Sequence, residues 1–230
     1  MNTLTSTRLD PLRQIRGVWF GTETAAVPAV ASGHLALDRY LPGQGWPRGS
    51  LIEILPAAPG IGELSLLLPA LRRLADEKRI AFVQPPFVPY APALANSGLP
   101  LDRIAWIKAE GAEAQWATEQ SLRSGAVSAV LYWDASTDAT ELRRLQLAAE
   151  AGNALLFLFR PLSAIEQSST AAVRMSLYPQ NGKLRIDLLK ARGGRPGVVL
   201  VDPFRRPTSS AASSEPPRRY ATSVRRAALT

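Results

Sequence analysis

The chain has no cysteine and a single histidine, His34. Without thiols there is no disulfide framework, thiolate metal site or cysteine nucleophile, and one imidazole cannot build a histidine-based metal cluster. No segment reaches the roughly 18 uninterrupted apolar residues of a membrane span. The opening MNTLTSTRLDPLRQIRG lacks the apolar core of a signal peptide. These absences remove most metalloenzyme classes and lead to the expectation of a cytoplasmic protein with no membrane partner.

What is present is the composition of a folded protein. Over 230 residues, 46% are hydrophobic and 20% charged, which suffices for one sizeable α/β core and a tail. The net charge is +8. From Pro203 onward six arginines (Arg205, Arg206, Arg218, Arg219, Arg225, Arg226) stand against Glu215, so 6 − 1 = +5 of it falls in the tail. That segment is rich in Pro, Ser and Ala, has no apolar period, and is expected to be disordered on its own. The expected division is an N-terminal arm and linker over 1–32, a core over 33–202 and a basic tail over 203–230.

Within the core, short apolar runs alternate with helical periods. Strands are expected at Ser50 to Leu55, Arg79 to Val83, Ile104 to Lys108, Ala126 to Trp133 and Ala154 to Phe159. Helices are expected at Glu63 to Ala75, Ala91 to Gly98, Ala112 to Ser124 and Ala139 to Ala151. The alternation implies a mostly parallel sheet flanked by helices. After Ala172 the pattern becomes VRMSLYP, QNG, KLRIDLLK, an antiparallel hairpin turning at Asn181-Gly182 and expected to form the sheet edge. Trp46, Trp106, Trp116 and Trp133 are read as packing residues. Trp19 and Phe20 belong to an apolar arm suited to docking.

The first strand-loop-helix unit carries Pro56-Ala57-Ala58-Pro59-Gly60-Ile61-Gly62-Glu63-Leu64. Such loops cradle phosphate through their N–H groups and the helix N-terminus. A working version needs Lys and then Ser or Thr after the last glycine, for the phosphates and Mg²⁺. Glu63 and Leu64 stand there instead. A like charge ~4 Å from a phosphate costs ~4 kcal/mol at an effective dielectric of ~20. Gly60, Gly62, Glu63 and Asp134, at the end of AVLYWD, are therefore read as a vestigial nucleotide loop, with no cofactor and no catalytic residue. His34 is assigned no chemistry.

In order, GHLALDRYLPGQGWPRGSLIEIL, RIAFV, PYAPALANSGLPLDRIAWIK and EQSLRSGAVSAVLYWDAS resemble RecA, and the fold they imply is RecA-like. The segment after RIAFV departs from RecA, reading Gln84-Pro85-Pro86 where RecA has a catalytic glutamate. The phrases GWPRGSLIEIL, GIGELSLLLPAL, PPFVPYAPALANSGL, RRLQLAAEAG, LFLFRP and LLKARGGRPG resemble the ImuA family, RecA-like accessory proteins of SOS-induced translesion synthesis that are also related to the division inhibitor SulA. That resemblance implies a non-catalytic role in damage-induced mutagenesis. The implied partners are an ImuB-like Y-family polymerase homologue, RecA and, indirectly, an error-prone replicative-type polymerase, on a nucleoid-associated assembly. Lys190 and Arg192 match the RecA positions that reach a neighbouring subunit's nucleotide. With Arg195, Arg218, Arg219, Arg225 and Arg226 they are the candidate contacts to a partner or to the DNA backbone. The alternative is a SulA-like inhibitor that binds the tubulin-like division protein.

Overall fold

A computed structural model describes residues 27–204. Trp19, Phe20, Arg205, Arg206, Arg218, Arg219, Arg225 and Arg226 lie outside the described residues. An eight-stranded sheet organises the rest. In chain order its strands are β3 (Leu51–Pro56), β4 (Arg79–Val83), β5 (Ile104–Ile107), β6 (Val127–Trp133), β7 (Leu155–Phe159), β8 (Val173–Gln180), β9 (Lys183–Ala191) and β10 (Gly197–Val201). Their spatial order is β10-β9-β8-β3-β7-β6-β4-β5. Strands β3 to β8 are mutually parallel where they pair, while β9 runs antiparallel to both β8 and β10. The mixed α/β architecture is thus as expected.

Helix α2 (Glu63–Glu77) covers one face of the sheet, and α4 (Gly111–Arg123) with α5 (Ala139–Gly152) covers the other. Period-2 alternation divides β3 between them: Ile52 and Ile54 meet α2, and Leu51 joins the α4–α5 layer. The buried stripe of α2, Leu66, Leu67, Ala70, Leu71 and Leu74, follows helical spacing. Each fully buried leucine there contributes roughly 1.5–3 kcal/mol of transfer free energy. Helix α5 starts on a reciprocal capping box, in which Asp138 accepts from the Glu141 N–H and Glu141 accepts from the Asp138 N–H. The short helix α3 (Ala91–Asn96) sits beyond β4.

Two expectations need correction. The β8–β9 hairpin turns at Asn181-Gly182 as expected, but it is not the edge, because β10 pairs along the outer side of β9. The exposed run from Gly193 to Gly197, which leads into β10, is anchored at Tyr40. Gly194 lies so close to the Tyr40 carbonyl that a Cβ would sit 2.3 Å from its oxygen, the Arg195 N–H donates to that oxygen at 3.0 Å, and the Arg195 guanidinium stacks 4.6 Å from the Tyr40 ring centroid. Finally, Trp106 and Trp116 are exposed, at 50% and 64%. Trp46 does pack, fully buried and edge-on to Phe157.

Ahead of the sheet, β1 (Ala29–Val30) pairs with β2 (Trp46–Pro47), and α1 (Leu35–Asp38) lies between them. Val30 is buried in the α2-side core, so packing reaches back ahead of residue 33. His34 fixes this segment to α2 by donating Nε2–H to the Leu66 carbonyl at 3.2 Å. Burial lowers its pKa, and the Leu66 bond and the charges of Asp38 and Asp202 offset this only in part. The unfolded chain therefore takes up a proton near pH 6.5, at a higher pH than the folded chain does. Stability is expected to fall as pH drops through that value. A His34→Gln variant should show a shallower loss of urea midpoint between about pH 7.5 and pH 5.5.

Candidate functional site

The loop between β3 and α2 is closed by its own acid. Gly62 caps α2 with φ of 112°, a left-handed geometry that turns the chain into the helix. Glu63 follows, 8% exposed, and folds its carboxylate back over the loop. Its Oε1 accepts the Gly60 N–H at 2.8 Å and its Oε2 accepts the Gly62 N–H at 3.1 Å. These are the donors that a phosphate would need. The helix dipole favours the same negative charge at that end.

Beside the loop is a cavity of about 470 Å³. Pro59 and Glu63 form one wall, and Gln84, Trp133, Asp134 and Phe159 form others. Trp133 and Phe159, which line it, belong to a ladder of rings across the ends of three strands that continues to Phe82 outside the lining. Trp133 stacks on Phe159 at 4.6 Å and on Phe82 at 6.2 Å. Gln84 has φ of 51°, rare for a non-glycine residue, and its buried Oε1 has no hydrogen-bond partner among the described residues. Asp134 is not a helix cap; that role belongs to Asp138. Its Oδ1 accepts from the Ser136 N–H and hydroxyl, and its Oδ2 accepts from the Thr137 hydroxyl. Burial pushes its pKa up, but these bonds outweigh burial and hold the carboxyl below the usual range. Burial, together with the charges of Asp134 and Glu141, raises the Tyr132 phenol well above its ordinary value.

The basic candidates are placed elsewhere. Lys190 donates from Nζ to the Ser169 carbonyl at 2.8 Å, and burial, then the charges of Arg192 and Arg174, lower its pKa. Arg192 is exposed, and Arg195 lines a separate depression with Arg39 and Gly43. None of the three lines the cavity that Glu63 and Asp134 share. Among the described residues there is no group of three or more His, Asp or Glu side chains able to hold a metal ion, and no helix is long and apolar enough to cross a membrane.

The sequence reading passed over a buried ionic cluster behind the cavity. Glu53, on β3 and fully buried, pairs with Arg160 at 2.9 Å and with Arg174 at 2.8 Å. Arg160 also donates to the Thr137 carbonyl and the Gln167 amide oxygen, and Arg174 to the carbonyls of Ala164 and Ile165. The signal was available: SLIEIL, LFLFRP and AAVRMSL each hold one charge inside an apolar run, and such charges must find partners.

Fold and site together define an α/β domain whose phosphate-type loop is occupied by its own carboxylate. A family model described as cell division inhibitor SulA matches residues 51–156. The cell division inhibitor SulA of Photorhabdus laumondii is 38% identical over 114 residues, which are 49% of this chain and 64% of that protein. The SulA of Yersinia pestis (strain Pestoides F) is 30% identical over 115 residues, 49% of this chain and 68% of that protein. The chain belongs to the SulA family. It spans less than two thirds of the Photorhabdus relative, 64% of its length. The crystal structure of SulA from Pseudomonas aeruginosa is 28% identical and covers 48% of this chain and 97% of that one, but its TM-score of 0.42 carries no argument.

These matches overturn the ImuA assignment and, with it, the translesion-synthesis function. The ImuB-like, RecA and polymerase partners fall too, as does the DNA-backbone contact that went with them. The phrases that suggested ImuA lie mostly on β3, α2, the β4–α3 connection and α5. They are sheet and helix of a shared architecture, which report fold and not function. Kinship to RecA is not established by the strand arrangement, and only the coarser mixed α/β description stands.

Proposed function

We propose that the chain inhibits cell division by binding the tubulin-like division protein and blocking its assembly, and that it does so without catalysis. The observation that carries this reading is family membership through residues 51–156, because that segment also holds the most conspicuous exposed apolar loop. Phe87, Val88 and Tyr90 are 74%, 70% and 71% exposed. No charged residue occurs between Arg79 and Asp102 to solvate the loop. Exposed aromatic side chains on an uncharged loop are the material of a protein interface. Lys190, Arg192 and Arg195 fall outside the matched segment. In this reading the protein acts in the cytoplasm, where its target assembles.

Overexpressing the full chain should give long undivided cells, and the purified chain should lower the yield of sedimented division-protein polymer. Cells of normal length with unchanged polymer yield would reject the proposal. The non-catalytic part has its own check. A fluorescent ATP analogue should show no saturable anisotropy change with the chain, since Glu63 occupies the loop donors. Saturable, Mg²⁺-dependent binding would count against it.

A further inference from the structure

We infer that the cavity beside the Gly60–Glu63 loop is a receptor for an arginine side chain carried by the protein that this chain inhibits; the identity of the carrier rests on the function proposed above. The ionised side chains that line the cavity are Glu63, Asp134 and Arg160. The Ser136 N–H and hydroxyl fill Asp134 Oδ1, but Asp134 Oδ2 and the two Glu63 oxygens each accept one side-chain or loop bond and keep a lone pair. Gln84 adds an amide oxygen that is buried and has no partner among the described residues. Arg160 also lines the cavity, but its guanidinium donates to Glu53, Thr137 and Gln167, none of which does.

The choice of ligand follows by elimination. An anion would face two carboxylates. A purely apolar side chain would strip water from the two carboxylates and give them nothing in return. A guanidinium supplies donors in a planar fork. Its three-carbon stem can lie on Pro59 and against the edge of Trp133, whose faces are covered by Phe82 and Phe159. A volume of about 470 Å³ is within the range of pockets that enclose small ligands. Pro85 and Pro86 form part of the cavity wall and lead directly into the exposed Phe87–Tyr90 loop. A partner segment held by that loop would bring an adjacent side chain to the cavity mouth.

The test uses the full chain and two small probes, N-acetyl-arginine methylamide and its neutral citrulline counterpart. The readout is the set of tryptophan indole N–H resonances, with Trp133 assigned through Trp133→Phe. The arginine probe should shift the Trp133 signal saturably and the citrulline probe should not. Asp134→Asn and Gln84→Leu should each weaken the arginine probe by about tenfold or more, with the buried Trp46 signal unchanged as evidence of folding. Equal responses to the two probes, or none to either, would overturn the inference. Asp134→Asn should also weaken inhibition of division-protein assembly. Full inhibition by a variant that has lost the arginine probe would overturn the assignment of the arginine to that partner while leaving the proposed function standing. A wild-type chain that binds the probe but inhibits nothing would defeat the proposed function and leave the chemistry of the cavity intact.

Discussion

Glu53→Gln should destabilise the chain by about 3–5 kcal/mol. The substitution keeps the shape of the side chain but removes its charge and turns one of two acceptor oxygens that face guanidiniums into an NH2 donor. Two guanidiniums then remain in an apolar layer, Arg160 with its side chain 1% exposed and Arg174 with its side chain 10% exposed, and neither has a counter-ion there. Their carbonyl and amide acceptors solvate them in part, but a neutral oxygen cannot replace a carboxylate between two cations. Urea denaturation would show the loss as a lower midpoint with an unchanged slope. The exposed pair of Arg48 and Glu77 is the control. It is also a two-point carboxylate–guanidinium contact, but water screens it, so Glu77→Gln should cost less than about 1 kcal/mol. If both variants lose the same amount, burial is not what makes the Glu53 cluster matter.

Phe87→Ala and Tyr90→Ala should each weaken the inhibition of division-protein assembly by roughly thirtyfold, the effect of losing a ~2 kcal/mol interface contact. Neither should alter thermal stability, because rings 74% and 71% exposed make little of the core. A core ring predicts the opposite pattern. Phe157→Ala removes a fully buried side chain packed on Trp46 and should cost about 3–5 kcal/mol of stability. The concentration giving half-maximal inhibition in a sedimentation assay, set beside the melting temperature of each variant, separates the two. Alanine variants of the loop that inhibit like wild type would move the contact surface elsewhere on residues 51–156.

The sheet was legible because its central strands are buried on both faces and read as unbroken apolar runs. LLFLF of β7 and RIAFV of β4 leave no second interpretation. β10 was hidden by its neighbours: the glycines and proline of Gly193 to Gly197 signal an open loop, and only the Tyr40 carbonyl, distant in sequence, turns them into a packed corner. The pair β1–β2 has two residues per strand, too short for any period to show. At the site, the acid in the phosphate loop could be seen in the sequence, but not that its carboxylate folds back onto Gly60 and Gly62. Gln84 stood out in the sequence only as a departure from RecA, since its place in the cavity depends on a left-handed backbone at a strand end. Function was misread because the longest recognisable phrases belong to the elements that hold the fold together.

The Glu63 carboxylate is covalently tethered beside the amides it serves. A tethered ligand competes at the effective concentration of an intramolecular group, millimolar or higher, whatever the surrounding solution contains. Free phosphate and nucleotides must outbid a rival that never diffuses away. On the function proposed above, inhibition should then be insensitive to added phosphate or ATP and should follow the amount of protein present.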